Sequence, residues 1–309
     1  MKKFLIASIL AIASVGAFAA PAADAPAADC EGVKVATGPK GKGYSTLFAD
    51  INKLVGKNIP LCEVNTAGGL DNLNALSTKE ADIGFVQIDT WMDMKNGDEN
   101  IAALQYVMPM NNNYLHVVTL ASGFTQVTAK KFFGKDEKLV VINSFADLRG
   151  QRVAVVGSAQ LLGRKLDKQL GYGMQFVDVK SDAEAFDMVK KAQVAAAFTV
   201  SGWPSGTVKQ LQQADGLTLV PFNAPIGEPY KVKPLNYKNI AVYNNNSLAI
   251  PNVLVTRPFT GIRQSNVSAI QFGIIKNLTE LKEGNYQPAW NEVNPNAAVP
   301  VMTKFKPSK

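Results

Sequence analysis

The sequence predicts an α/β fold in two units, each a mostly parallel sheet flanked by helices. Strand-like and helix-like hydrophobic patterns alternate along residues 33–89, and the alternation restarts along residues 145–200. Alternation of this kind builds parallel sheets through helical crossovers. Each unit also carries a loop of small residues directly after its first strand. Finally, 309 residues is length for about two domains at roughly 150 residues each.

The chain starts with a secretory signal. Lys2 and Lys3 give the positive start, Phe4 to Ala13 form a short apolar run, and Ala17-Phe18-Ala19 is a small-x-small cleavage pattern. The run is shorter than the roughly 20 residues a membrane span needs, and no later charge-free stretch reaches that length. The mature protein is therefore expected to be soluble and not membrane-spanning. Residues 1–19 read as a signal peptide cleaved after Ala19, which directs the chain to the periplasm. Ala20 to Asp29, rich in Ala, Pro and Asp, read as a flexible tether.

Hydrophobic residues make up 47% of the chain, ordinary for a globular protein. The net charge of +7 falls to about +5 once Lys2 and Lys3 leave, and it is scattered. No basic run with interleaved aromatics appears, so nucleic acid is not an expected partner. The small excess slightly favours anionic solutes. Cys30 precedes the first strand and Cys62 lies in the second; in an exported chain they are expected to form a disulfide. Ala28-Asp29 before Cys30 lacks the small apolar pair of a lipid-attachment site.

In the first unit, Val33 to Thr37 is a strand that runs into the Gly-rich loop Gly38–Gly43. Tyr44, Leu47, Phe48, Ile51, Leu54 and Val55 recur on one helical face. Strand Leu61–Asn65, loop Thr66–Gly69 and a helix through Leu70, Leu73 and Leu76 follow. Strand Ile83–Val86 then leads into Gln87-Ile88-Asp89.

In the second unit, Phe145–Gly150 reads as one helical turn before strand Val153–Val156 and the loop Gly157-Ser158-Ala159. Helix Leu161–Leu170, strand Phe176–Val179, helix Ala183–Lys191 and strand Val194–Val200 complete it. Gly202-Trp203-Pro204 reads as the opening of one more helix. Residues 223–251, rich in Pro, Asn and Tyr, have weak periodicity. Val267 to Leu281 forms an amphipathic helix, with Val267, Ile270, Ile274 and Leu278 on one face, expected to pack on the first unit.

Catalytic and metal motifs are absent from the sequence. The one histidine, His116, sits in the strand-like Tyr114–Val118 and reads as structural. There is no Gly-x-Ser-x-Gly elbow, no metal-ligand spacing, and the Gly38–Gly43 loop lacks the Gly-Lys-Ser/Thr ending of a nucleotide loop. No enzyme activity and no cofactor are expected. Loops of small residues at strand ends instead suit ligand binding, since a ligand can approach the backbone and the N–H groups of the following helix. Gly38–Tyr44, Thr66–Asp71 and Gly157–Gln160 are three such places; each alone reads equally as a tight turn.

Five stretches resemble the TAXI branch of TRAP-transporter solute receptors, which have the type II periplasmic binding-protein fold. Thr37-Gly38 through Tyr44 resembles that family's first Gly/aromatic loop. Thr66-Ala67-Gly68-Gly69-Leu70-Asp71-Asn72-Leu73 resembles its Thr-Gly-Gly-Ser-x-Glu-Asn-Leu element. Glu80-Ala81-Asp82-Ile83-Gly84-Phe85-Val86-Gln87-Ile88-Asp89 is similar to its Glu-Ala-Asp-x-x-Phe-Val-Gln-x-Asp segment. Ala146 to Val153 resembles the entry to its second domain, and Phe198 to Pro204 its Phe-x-x-x-Gly-x-Pro loop. The sequence departs at Gly69, where the family has serine, and at Ala159-Gln160, which replace a Gly-Thr pair.

The resemblance implies two lobes joined by crossover strands: residues 31–117 plus 223–309, and residues 118–222. It implies a cleft between them for a small solute, an organic anion or an amino acid, delivered to a TRAP-type membrane permease. The implied ligand-binding residues are Thr37, Gly38, Gly43, Tyr44, Thr66, Ala67, Gly68, Gly69, Gln87 and Asp89 from one lobe. From the other come Ser158, Ala159, Gln160 and Trp203. Tyr44 and Trp203 read equally as cleft walls or as core. Lys42 and Arg164 are further candidates for a charge partner. A periplasmic sensing subunit is the alternative function, with a hydrolase or transferase on the same fold behind it.

Overall fold

A computed structural model describes residues 30–130, 135–240 and 246–308, so the expected signal peptide (1–19) and tether (20–29) lie outside the described residues. The first unit contains β1 (Val33–Ala36), α1 (Gly43–Val55), β2 (Leu61–Val64), α2 (Gly69–Ser77) and β3 (Ile83–Gln87). These strands pair in parallel in the order β2-β1-β3. All five residues of β3 are buried, the continuous apolar run of a strand covered on both faces. Short helices α3 (Ile88–Met94) and α4 (Glu99–Ala102) then lead to β4 (Gln105–Leu120), 16 residues long.

The second unit follows a hairpin of β5 (Phe124–Lys130) and β6 (Lys135–Val140). It contains β7 (Arg152–Val156), α5 (Ala159–Leu170), β8 (Gln175–Val179), α6 (Asp182–Lys190) and β9 (Ala196–Gly202). Here β7 pairs in parallel with both β8 and β9. The chain returns through β10 (Leu217–Leu219), β11 (Lys231–Pro234) and β12 (Asn246–Thr256), and ends with α7 (Gly261–Lys276) and α8 (Leu278–Glu283).

Among the described residues, ten strands form one sheet, with the path β2-β1-β3-β12-β4-β9-β7-β8. The two long strands lie in its middle, antiparallel to each other. The end of β12, Val253–Thr256, pairs with β3, while Asn113–Thr119 of β4 pair with β9. Both strands thus run from one parallel unit into the other, and the fold is two-lobed with β4 and β12 as its crossovers. The carboxyl ends of the parallel strands, where ligands bind in open α/β sheets, carry the small-residue loops.

Each lobe has cores of its own. Leu47, Phe48, Ile51, Phe85, Val267, Ile270, Ile274 and Trp290 pack together in the first. Phe145, Leu148, Val153, Leu162, Leu166, Phe198 and Phe222 pack together in the second. Tyr230, Leu248 and Ile250 join that second core, and Leu235, Tyr237, Ile240 and Ala249 join its other face. Residues such as Tyr230, Tyr237 and Ile250 therefore pack beside the second unit's strands before the end of β12 pairs with β3. The stretch 223–251 lacks periodicity because it packs through single aromatic and aliphatic anchors, not through a helix face.

Two expectations change. No helix opens at Gly202-Trp203-Pro204: short 3-10 turns occupy Val208–Gln210 and Gln213–Asp215. The Ser205 hydroxyl takes the Val208 N–H at 3.5 Å and lies 3.1 Å from the Thr207 hydroxyl, local bonding that competes with a helix. The C-terminal amphipathic stretch is two helices, broken at Asn277. As expected, α7 packs on the first lobe. A Cβ at Gly273 would come within 2.9 Å of Val55 on α1, so glycine permits the close approach.

Asp82, in the Glu-Ala-Asp motif, has a structural task at the edge away from the loops. Its carboxylate takes the Lys34 N–H at 3.1 Å and the Arg257 guanidinium at 2.7 Å, tying together the starts of β1 and β3 and the end of β12. Among the described residues no helix is long and apolar enough to cross a membrane.

Candidate functional site

The β1–α1 and β2–α2 loops close on each other. The Gly38 carbonyl accepts from the Thr66 N–H at 3.3 Å and from Asn65 Nδ2 at 3.2 Å. Thr37 is buried, and its hydroxyl donates to Glu63 Oε1 at 2.9 Å. The Thr66 hydroxyl donates to Asn72 Oδ1 at 2.6 Å and accepts the Gly68 N–H at 3.1 Å. Asn72 in turn donates to the Phe85 carbonyl at 2.7 Å. These side chains hold the loops in shape. Gly68, at φ +141°, adopts a backbone that side chains rarely allow. Beside it, a Cβ on Gly69 would lie 3.6 Å from Gln87 Oε1, so the glycine leaves the Gln87 amide uncovered.

Tyr44 joins these loops to the crossovers. Its ring stacks on Phe85 with centroids 5.3 Å apart. Its hydroxyl donates to Asn252 Oδ1 on β12 at 2.8 Å and accepts from Asn113 Nδ2 on β4 at 3.3 Å. Asn252 pairs in register with Gln87, and Asn113 with Gly202. A Cβ on Gly202 would lie 3.7 Å from Asn111 Nδ2. At this junction stand two buried polar atoms with no partner among the described residues, Asn111 Oδ1 and Asn252 Nδ2; two more, Ser201 Oγ and Trp203 Nε1, lie on the opposite face of the sheet, where Ser201 pairs with Tyr114. Asn111 is 3% exposed and Asn252 1%. Buried polar atoms are paired in the great majority of cases, so two orphans on one face of the crossing mark a polar site.

A cavity of about 90 Å³ lies between α3 of the first lobe and α5 of the second. Gln87, Asp89, Thr90, Asp93 and Met94 line one side; Ser158, Leu161, Leu162 and Lys165 line the other. Polar bonds cross between the lobes here. Lys165 Nζ contacts both Asp93 oxygens, at 2.9 and 3.1 Å, and the Tyr230 hydroxyl donates to Asp89 Oδ2 at 3.1 Å. Asp89 Oδ1 accepts the Thr90 N–H at 2.8 Å. Burial pushes the Asp89 carboxyl above its usual range, partly offset by the Lys165 charge and by these two bonds. Burial, reinforced by the Asp89 charge, likewise pushes up the hydroxyls of Tyr44 and Tyr230, so both stay protonated donors.

The model of the NMT1-like family matches residues 35–260. The chain belongs to the NMT1-like family. The match spans β1 to β12, so both sides of the cavity and the crossing strands fall within it. Solved structures share the fold. An ancestral arginine-binding protein bound to arginine is similar at 15% identity and a TM-score of 0.50, covering 84% of this chain and 96% of its own. An amino acid ABC transporter substrate-binding protein from Streptococcus pneumoniae, bound to L-arginine, is similar at 13% identity and a TM-score of 0.50, with coverage of 84% and 94%. A histidine kinase sensor domain with similarity to periplasmic binding proteins gives 11% identity and 0.50, with coverage of 86% and 98%.

In this NMT1-like protein the expected site residues separate into groups. Gln87, Asp89 and Ser158 meet at one cavity. Thr37, Gly38, Thr66, Gly68 and Gly69 form the neighbouring loop pair, with Ala67 exposed at its tip and Gly43 exposed at the start of α1. Tyr44 and Trp203 are half-buried and reach the crossing strands or the second core. The Ala159 side chain is fully buried in the second core, because Ala159, Leu162, Gly163 and Leu166 share the inner face of α5. Only its backbone can face a ligand.

Arg164 is engaged elsewhere, since its guanidinium holds Asp178 at 2.8 and 2.9 Å and the Gln160 carbonyl at 2.9 Å. Lys42 is exposed. Sequence reasoning missed Asp93, Lys165, Tyr230 and the Asn residues of the crossovers. One signal was present: Asn111-Asn112-Asn113 interrupts an otherwise apolar strand, and asparagine is depleted in strands.

Both cysteines, Cys30 and Cys62, are disulfide-bonded. Among the described residues no group of three potential metal ligands occurs. His116 is 1% exposed, with Nε2 held 2.8 Å from the Tyr237 hydroxyl. Burial lowers its pKa to about 4, so it is neutral and sequestered from the cavity.

Proposed function

We propose that the protein is an exported periplasmic receptor that closes on a small solute and delivers it to a TRAP-type membrane permease, as its TAXI-like motifs imply. The observation that carries the reading is the pair of unpartnered polar atoms, Asn111 Oδ1 and Asn252 Nδ2, at the crossing of β4 and β12, near a cavity walled by both lobes. A solute there touches both lobes, so it stabilises the closed arrangement by its differential contacts. Asn252 Nδ2 is a donor, which suits a carboxylate. The arginine bound in two structures of the same fold is a solute of this class. No catalytic step enters the reading, because the one histidine is buried and held by Tyr237.

Mass spectrometry of the protein purified without ligand, followed by gentle denaturation, tests the proposal. A single small carboxylate-bearing compound in near-stoichiometric amount is the expected result. Absence of any co-purified compound, together with no binding in calorimetry, overturns it. A second reading, a sensing subunit for a signalling receptor, draws support from the fold shared with a histidine kinase sensor domain. Loss of solute uptake on deletion of the gene favours transport; loss of a solute-dependent signal with uptake intact favours sensing.

A further inference from the structure

We infer that the cavity between α3 and α5 holds a cationic group of the solute, an ammonium or amidinium, against Asp89. This rests on the receptor reading above and names the charge its solute carries at this end of the cleft. The cavity contains two carboxylates, Asp89 and Asp93, and one ammonium, Lys165. Lys165 is spent on Asp93, bound to both of its oxygens at 2.9 and 3.1 Å. Asp89 is 5% exposed, and the donors that reach it are neutral: the Thr90 N–H at 2.8 Å, the Thr90 hydroxyl at 3.4 Å and the Tyr230 hydroxyl at 3.1 Å.

A carboxylate so buried is stabilised by a partner cation or else takes up a proton. Lys165 favours its ionised form, yet one ammonium cannot neutralise two carboxylates. With Asp89 ionised the cavity has one negative charge to spare, and a cation bound there holds it in that form. An anionic group placed here meets both carboxylates at short range; a cationic group completes the count. The carboxylate end of the solute is served elsewhere, by the uncharged donor Asn252 Nδ2 on the crossing strand. The solute class is thus a zwitterion, with its ammonium or amidinium toward α3 and its carboxylate toward the crossing strands. The anionic preference read from the net charge is reversed at this end.

The test is calorimetric titration of the mature protein, stripped of bound compound by partial denaturation and refolding. The probes are L-arginine, L-glutamine and L-glutamate, the N-acetyl derivative of each, and succinate and glutarate. At least one free amino acid is expected to bind, and acetylation that removes its one cation, as in glutamine and glutamate, is expected to weaken it about 10- to 100-fold. Asp89→Asn is expected to weaken the free amino acid by a similar factor and leave the N-acetyl derivative unchanged. Should that variant not fold, Lys165→Met serves: it removes the internal ammonium, strengthening the free amino acid and weakening the dicarboxylates. Dicarboxylates that bind as well as the free amino acids, or N-acetyl-L-glutamine or N-acetyl-L-glutamate that binds as well as its free amino acid, overturn the cation site and leave the receptor reading standing. No binding by any probe overturns both.

Discussion

The Tyr44 hydroxyl donates to Asn252 Oδ1 at 2.8 Å across 208 residues of sequence. The same hydroxyl accepts from Asn113, so one atom on α1 holds both crossover strands where they pass between lobes. Hinge motion of a two-lobed protein concentrates in a few residues of such strands. Tyr44 therefore couples the β1–α1 loop to both crossover strands.

Tyr44→Phe keeps the ring stack on Phe85 and deletes only the hydroxyl. Asn252, whose Nδ2 already lacks a partner, then loses its Oδ1 partner as well. Leaving such a buried acceptor unpaired costs about 1–3 kcal/mol. The expected outcome is a melting temperature several degrees lower and weaker solute binding. A melt identical to wild type shows that the hydroxyl does not brace the crossing.

Glu292 is expected to be a second brace. Its carboxylate takes the Asn112 N–H at 3.0 Å, Asn112 Nδ2 at 2.8 Å and the Tyr114 hydroxyl at 2.8 Å. Glu292→Ala strands three donors on β4 and should lower stability by roughly 2–3 kcal/mol. Glu292→Gln keeps an acceptor and should cost less than half of that. Denaturant unfolding of both variants measures the difference, and equal losses contradict a bonding role for the carboxylate.

Much of the architecture was legible because hydrophobic period reports burial directly. The parallel units came from runs such as Ile83–Val86, buried on both faces, and from the single buried stripe of α1. The crossovers were not legible in the same way. β4 is apolar on both faces but broken by three asparagines, and β12 starts amid Pro, Asn and Tyr, so neither fits a strand template. In the site, Gln87 and Asp89 were visible through a motif, whereas Lys165 and Tyr230 were not. They reach the cavity only because α5 and residues 223–230 pack against the second core, which sequence spacing does not report. Ala159 was ambiguous because a small residue at a helix start serves a ligand loop or a core equally well.

His116 supplies a pH test. Burial lowers its folded pKa to about 4, against 6.5 for the free side chain. Between those values the unfolded chain holds a proton that the folded one does not. Its contribution is therefore fully present above about pH 6.5 and is lost as pH falls toward 4, amounting to roughly 3 kcal/mol. Asp89, whose carboxyl is raised, works in the opposite sense, since its burial is relieved as it protonates. The comparison with His116→Gln, which keeps a polar partner for Tyr237 and does not titrate, isolates the histidine. Parallel pH–stability curves for the two proteins contradict the expectation.

The disulfide is testable without ligand. Cys30 and Cys62 are the two cysteines of the chain and both are bonded. Thiol labelling of denatured, unreduced protein is expected to find none free. Closing a loop of about 30 residues limits the unfolded chain, and its reduction should cost about 3–4 kcal/mol in the chain-entropy model. Two reactive thiols, or a melt indifferent to reductant, contradict this.

Ser158 decides between two charges for the solute at the cavity. Its backbone is helical and its hydroxyl caps no N–H group, yet it lines the wall opposite Gln87 and Asp89. Ser158→Ala should leave the melt within about 0.5 kcal/mol of wild type, as surface substitutions do. If its partner is an anion, the loss is of a charged hydrogen bond, about 10- to 150-fold in affinity. If the solute's cation sits at Asp89, Ser158 makes a neutral bond, and the loss is about 2- to 10-fold. The smaller loss is expected. Ala159→Asp cannot serve as the companion variant, because it drives a charge into the core beside Leu162 and Phe198 and so reports unfolding. Ser158→Asp can, since the position is exposed. It adds a third carboxylate to the cavity, which an ammonium-bearing solute tolerates and a solute with an anion at this wall does not. Retained binding of the free amino acid by Ser158→Asp is the expected titration result, and its abolition in a folded protein places an anion there instead.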